Sequence, residues 1–184
     1  PTNTGNPASG TTTANIFTDD FERGTQGLNI TPAGWTVQDG TVDVGNINSW
    51  TSYPQIYSGT VIDLDGSTSR AGLLAITQRL DAGKTYRLSF DLAGNWRTSQ
   101  ADYVEVAFGG TKTGFNVASN QLFEKKELLF SPASTGDYTI SFRNAGGDNI
   151  GALLDNVKID EVATEIALIK NAPLGIPSVT GTLK

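Results

Sequence analysis

The 184-residue chain predicts an all-β protein, a two-sheet antiparallel β-sandwich of the jelly-roll kind. Three observations predict it. Short segments alternating apolar and polar residues recur along the chain, Gly, Asn and Asp punctuate them, and no apolar stripe of helical period extends beyond two turns.

The elements follow in order. Residues 1–15, "PTNTGNPASGTTTAN", are small, polar and turn-rich, which predicts an N-terminal arm ahead of a domain spanning 16–162. At the end of the arm "TTTANIF", 11–17, is β-prone and reads either as a flexible tail or as a strand donated to a neighbouring molecule's sheet. Strands are then expected in "GWTVQDGTVDVG", "SGTVIDLDG", "LLAITQRLDAG", "TYRLSFDLAG", "DYVEVAFGG", "KKELLFSPASTG", "DYTISFRNAGG" and "LLDNVKIDEV". The remainder, 163–184, carries Ile166, Leu168 and Ile169, which call for burial, while Pro173 and Pro177 interrupt any long regular element. It reads as an extra edge strand, a linker or an assembly segment.

Alternation also assigns faces. Tyr86, Leu88, Phe90 and Leu92 should point inward, as should Tyr138, Ile140 and Phe142, and Trp35 belongs to the core. Arg87, Asp91 and Arg143 then fall outward, either as one polar binding face or as an ordinary solvated one. In the last strand Val157 and Ile159 share a side, and extrapolating their phase places Asp155 on that apolar side too.

Composition narrows the chemistry. There is no Cys, Met or His, which excludes disulfides, thiol or imidazole nucleophiles, His-based triads and zinc sites of the usual nitrogen and sulfur type. Any metal must be a hard cation held by oxygens. A net charge of −6 with 13 unclustered Lys and Arg gives no footprint for nucleic acid or an anionic membrane, and no stretch approaches the roughly 18 apolar residues of a membrane span. With Pro1 at its start and many Gly, Thr, Ser and Asn, the chain reads as the mature form of a secreted, extracellular or cell-surface protein.

The segments "DDFERG", "AGWTVQDGTVDV", "VIDLDG", "TYRLSFDLAGN" and "ALLDNVKIDEV", in that order, resemble the bacterial choice-of-anchor C domains, related to the DUF642 group. These belong to the galactose-binding-like jelly rolls, which also include many carbohydrate-binding modules. The resemblance runs from Phe17 to Val162 and implies a jelly roll, an extracellular setting and association with polysaccharide or cell-wall glycan. It licenses fold far better than function.

Related sandwich modules often hold a structural calcium between the first "FE" and the final "DN", which in this chain are Glu22 and Asp155, with Asp20 close enough in sequence to join them. Calcium takes six to eight oxygen ligands, mixing carboxylates and loop carbonyls. The alternative is that Asp155 caps a turn at the strand start. Asp63 and Asp65 in "VIDLDGST" offer a second candidate, but the later Glu and the flanking helices of an EF-hand are missing. Asp63 is expected on a strand face, and Asp65 either turns the chain with Gly66 or ligates calcium.

Two loops hold the residues that would grip a sugar. "NINSWTSYPQIYSG" supplies Trp50, Tyr53 and Tyr57, and "GNWRTSQ" supplies Asn95, Trp96 and Arg97, on the kind of segment where binding residues concentrate. The same aromatics would equally serve to plug one end of the sandwich. For catalysis only carboxylates such as Glu105 and Asp91 are available, and no motif brings them to the separation glycoside cleavage needs. The sequence therefore supports a non-catalytic glycan-binding module, with a self-assembling filament or surface-layer subunit as the alternative.

Overall fold

A computed structural model describes residues 11–50 and 52–163. Its eleven strands are β1 (Thr12–Asp19), β2 (Thr36–Gln38), β3 (Asp43–Asn46), β4 (Thr60–Asp63), β5 (Leu73–Leu80), β6 (Thr85–Ala93), β7 (Asp102–Phe108), β8 (Thr111–Val117), β9 (Glu124–Phe130), β10 (Gly136–Asn144) and β11 (Leu153–Val162). One sheet runs β3-β4-β11-β6-β9, with β1 also paired to β11, and the other runs β2-β5-β10-β7-β8. Every ladder between strands is antiparallel. This is the expected jelly-roll sandwich.

The inner faces meet as the alternation requires. Leu88, Phe90, Leu92, Leu154, Val157 and Ile159 from one sheet close on Leu74, Val104, Val106, Phe108, Ile140 and Phe142 from the other. Trp35 is 5% exposed and packs on Phe17, Phe21 and Phe142. Its indole N–H donates to Asp19 Oδ2 at 2.8 Å, and Asp19 Oδ1 accepts from the Phe21 N–H at 2.9 Å, so one buried carboxylate fixes both the core Trp and the turn after β1.

Three expectations are corrected. The first strand begins at Thr12, inside the stretch expected to be a free arm. "TTTANIF" is spent within its own molecule, as Thr12 pairs Val162, Asn15 pairs Asp160 and Phe17 pairs Ile159. Arg87 and Asp91 lie on β6 of the six-stranded sheet, whereas Arg143 lies on β10 of the other, so the three do not form one face. Glu105, on β7, is likewise separated from Asp91 by the whole sandwich, which removes that carboxylate pair from any shared chemistry.

The third correction concerns Asp155. The β11–β6 register shifts between Asp155 and Lys158, and Asn156 adopts φ 52°. One extra residue in a ladder inverts the parity of everything before it. Leu154 therefore joins Val157 in the core, and Asp155 faces outward, opposite Asp91.

The expected C-terminal extension, 163–184, lies outside the described residues beyond Ala163, whose N–H donates to the Thr11 carbonyl at 2.9 Å.

Candidate functional site

The two predicted binding loops do converge, on the outer face of the six-stranded sheet. Ala93, Val61 and Leu153 point away from the core there, and Ile47 and Tyr53 cover them, with Trp50, Tyr57, Trp96 and Phe123 packed around. Much of the aromatic surface is structural. Tyr57 meets Phe123 edge-on at 4.9 Å, and the Trp96 indole N–H donates to the Gln121 carbonyl at 3.2 Å. Asn95 is buried and fully committed: its Oδ1 caps the N–H groups of Arg97 (2.8 Å) and Thr98 (2.9 Å), and its Nδ2 donates to Asp102 at 2.9 Å.

Trp50, Tyr53 and Arg97 nevertheless line one cleft of about 340 Å³ with Leu28, Asp43 and Asp63. Trp50 lies over Gly45, where a Cβ would collide with the indole, and its ring meets Tyr53 at 5.6 Å. Arg97 stands 3.8 Å from Asp63. Burial, with the charges of Asp43 and Asp65 added, pushes the Asp63 carboxyl up to about 8. The Tyr53 hydroxyl is buried without a partner among the described residues, and burial together with Asp63 raises its pKa.

A larger cleft lies elsewhere. On the outer face of the five-stranded sheet, Ser69, Arg70, Tyr103, Glu105, Arg143 and Asn144 are among the residues lining an open groove of about 410 Å³. Tyr103 and Glu105 point outward because Val104 and Val106 point in. Gly114 stands opposite Glu105 and diagonal to Tyr103, and the Tyr103 ring reaches across it. The ring remains 44% exposed. Around it Glu105 is held by Lys112 at 2.8 Å and Arg143 stands 3.7 Å from Asp39. An exposed ring flanked by a carboxylate, guanidinium groups and a hydroxyl can stack on an apolar ring face and hydrogen-bond the polar groups at its edge. None of the loop residues predicted to grip a sugar is in this groove, and of the outward set Arg87, Asp91 and Arg143 it takes Arg143. Its signal was present in the sequence as an aromatic on the polar side of "DYVEVAFGG".

The acids divide into two groups. Asp155 is raised to about 7, first by burial and then by the charges of Asp91, Glu22 and Asp20. Glu22 accepts from the Thr60 N–H (2.7 Å) and Oγ1 (3.2 Å), Asp20 caps the Glu22 N–H at 3.3 Å, and Asp155 accepts from the Asn156 N–H at 2.6 Å. The predicted calcium residues Asp20, Glu22 and Asp155 thus share a field, and the Asn156 N–H bond makes Asp155 a cap at the bulge. Asp65 lies apart, after β4, where Gly66 turns the chain with φ 64°. Among the described residues no three acidic side chains form a group able to hold a metal ion.

Neither a family profile nor a curated protein matches the chain. Solved structures do match its fold. A xylan-binding CBM22-1 domain from Paenibacillus barcinonensis Xyn10C aligns with a TM-score of 0.54 at 16% identity, over 82% of this chain and 96% of that one. A family 35 carbohydrate-binding module from Clostridium thermocellum aligns at 0.50 and 15% identity, over 79% and 98%. The K1 cleaved adhesin domain of Lys-gingipain from Porphyromonas gingivalis W83 aligns at 0.52 and 14% identity, over 78% and 96%. These likenesses establish the shared jelly-roll fold.

Proposed function

We propose that the protein is a non-catalytic carbohydrate-binding module that holds an extracellular polysaccharide along the outer face of its five-stranded sheet. The single observation that carries this reading is the groove in which Tyr103 offers an open ring beside Glu105, Arg143 and Arg70. An open groove suits an extended chain better than a single sugar, because both ends of the ligand can leave it. Structural neighbours named as xylan-binding and carbohydrate-binding modules support the same class. The resemblance of its sequence segments to the choice-of-anchor C domains points the same way.

Affinity electrophoresis against a panel of soluble polysaccharides, xylan and galactan included, tests the reading. Retardation by at least one of them is expected, with at least about a tenfold loss of affinity in Tyr103→Ala, since a stacked aromatic anchor is typically worth more than one decade. Binding that disappears in Trp50→Ala while surviving Tyr103→Ala would move the site to the loop cleft.

Calcium at Asp20, Glu22 and Asp155 belongs to the same reading. The convergence of their charges on the side chain of Asp155 supports it, and the ion would neutralise that field and tie the turn after β1 to β11. An indifferent melting temperature in chelator and in Asp155→Ala would remove this site. The self-assembling subunit loses its proposed donor strand, because "TTTANIF" is paired within the molecule.

A further inference from the structure

The charges of the Tyr103 groove do not cancel. Arg70, Glu105 and Arg143 are the three charged residues that line it. Glu105 is held by Lys112 at 2.8 Å and Arg143 stands 3.7 Å from Asp39, so both bring their own counter-charges. Arg70 brings none. Every described lysine, and every described arginine except Arg23 and Arg70, lies within 3.9 Å of a carboxylate oxygen. Arg23 belongs to a separate cleft, beside Asp19. In a chain of net charge −6, the exposed Arg70 guanidinium is thus left without ion pair or hydrogen bond among the described residues, and it is left so in the groove.

The backbone beneath that side chain is braced. The Arg70 carbonyl accepts from the Thr41 N–H at 3.0 Å and from Thr68 Oγ1 at 3.2 Å, and the Arg70 N–H donates to Thr68 Oγ1 at 3.4 Å. Gly40 lies so close that a Cβ there would strike the same carbonyl. A free cationic head is therefore carried into the groove on a fixed root. The acids behind the wall subtract little from it: Asp102, held by Asn144, and Asp65, against Gly146, are buried, and burial favours their neutral forms. Asp148 lines the neighbouring hollow rather than the groove. Charges farther off are screened over about 8–10 Å at physiological salt, so the local balance is positive.

We propose that the polysaccharide held in the groove carries carboxylates, as uronic acid units do, and that Arg70 is the residue that selects it. The inference rests on the groove reading above and adds the charge of the ligand to it. A guanidinium offers paired N–H donors that match a planar carboxylate, and such charge-assisted bonds are stronger than those to neutral hydroxyls. A uronate bears its carboxylate at the edge of a ring whose C–H face is free to stack, so Tyr103 takes the face and Arg70 the edge. Complementary charge governs which chain is chosen more than how tightly it is held. The ring therefore supplies affinity for any chain that fits, and Arg70 the preference for an acidic one.

Isothermal titration calorimetry of the full chain against glucuronoxylan, polygalacturonate and alginate, each beside its carboxyl-reduced form, tests the inference in the wild type, Arg70→Gln and Arg70→Lys. At least one acidic polymer should bind about fivefold more tightly than its reduced form, the scale of one solvent-exposed ion pair. Arg70→Gln should abolish that preference while keeping the affinity for the reduced form and the melting temperature, because the side chain is exposed. Arg70→Lys should keep part of it, retaining the charge without the fork. Raising sodium chloride from about 0.05 M to about 0.5 M should shrink the preference. Equal affinity of the wild type for acidic and reduced forms, or a preference that survives Arg70→Gln, overturns the inference. Binding without preference that is lost in Tyr103→Ala strikes this inference alone and leaves the groove reading standing, whereas a wild type that binds no polysaccharide brings down both.

Discussion

The Tyr103 side chain lies across Gly114 and fills the space that a side chain on β8 would occupy. Its placement therefore depends on a residue that makes no polar contact. Gly114→Thr should lift the ring from the sheet and cut polysaccharide affinity at least about fivefold. A threonine is well tolerated by an exposed strand, so the melting temperature should change little. Titration of both proteins against whichever polysaccharide binds checks the pair of outcomes, and unchanged affinity would deny the ring its role.

The β11 bulge makes a second prediction. Asn156 holds a left-handed conformation and its Nδ2 donates to Asp91 Oδ2 at 3.0 Å. Asn156→Val should cost about 1–3 kcal/mol in denaturant unfolding, because a β-branched residue resists that conformation. Asn156→Gly should cost less than Val, having lost the hydrogen bond but none of the backbone freedom.

Trp35 and Asp19 make a third. Trp35→Phe leaves Asp19 Oδ2 without its 2.8 Å donor and opens a space in the core. A loss of about 2–4 kcal/mol is expected from the unpaired acceptor and the cavity together, measurable by urea unfolding.

The metal-free protein should lose stability as pH rises. Burial is the main cause that raises Asp63 to about 8, Asp65 to about 7 and Asp155 to about 7, against 3.8 in the unfolded chain. The fold thus holds protons that the unfolded chain has released, and the stabilisation is complete below about pH 4 and lost through pH 7–8. Thermal melts in chelator should show the midpoint falling between pH 5 and 8, with a shallower fall in Asp63→Asn. A midpoint that rises across this window contradicts the assignment. Added calcium should flatten the slope, since an ion takes the place of the protons.

Much of the fold was legible because burial enforces alternation. Tyr86 to Leu92 and Ile140 to Phe142 read correctly as inward sets, and Trp35 as core. β8, "TKTGFNV", has too few apolar residues to announce itself, and it is recognisable only once β7 lies beside it. Asp155 misled for a definite reason: parity read backward from Val157 crosses an inserted residue, and a left-handed Asn leaves only a weak trace in sequence. The site was less legible than the fold. The loops rich in Trp and Tyr drew attention by composition, yet Tyr57 and Trp96 pack on the outer face of a sheet. Tyr103, a lone aromatic in a strand, acquires its chemistry from Arg143 and Arg70, distant in sequence and adjacent only in the folded sheet.

The pairing of Thr12 with Val162 places both ends of the described chain at one end of the β1–β11 ladder. Tension applied through those ends would pull the two strands apart at their shared end and break the ladder one bond at a time, rather than shear it all at once. The domain would give way at low force in an optical trap, peeling β1 first. A bound polymer that grips only the groove would pass its load to the opposite sheet, through the packed core instead of through this seam.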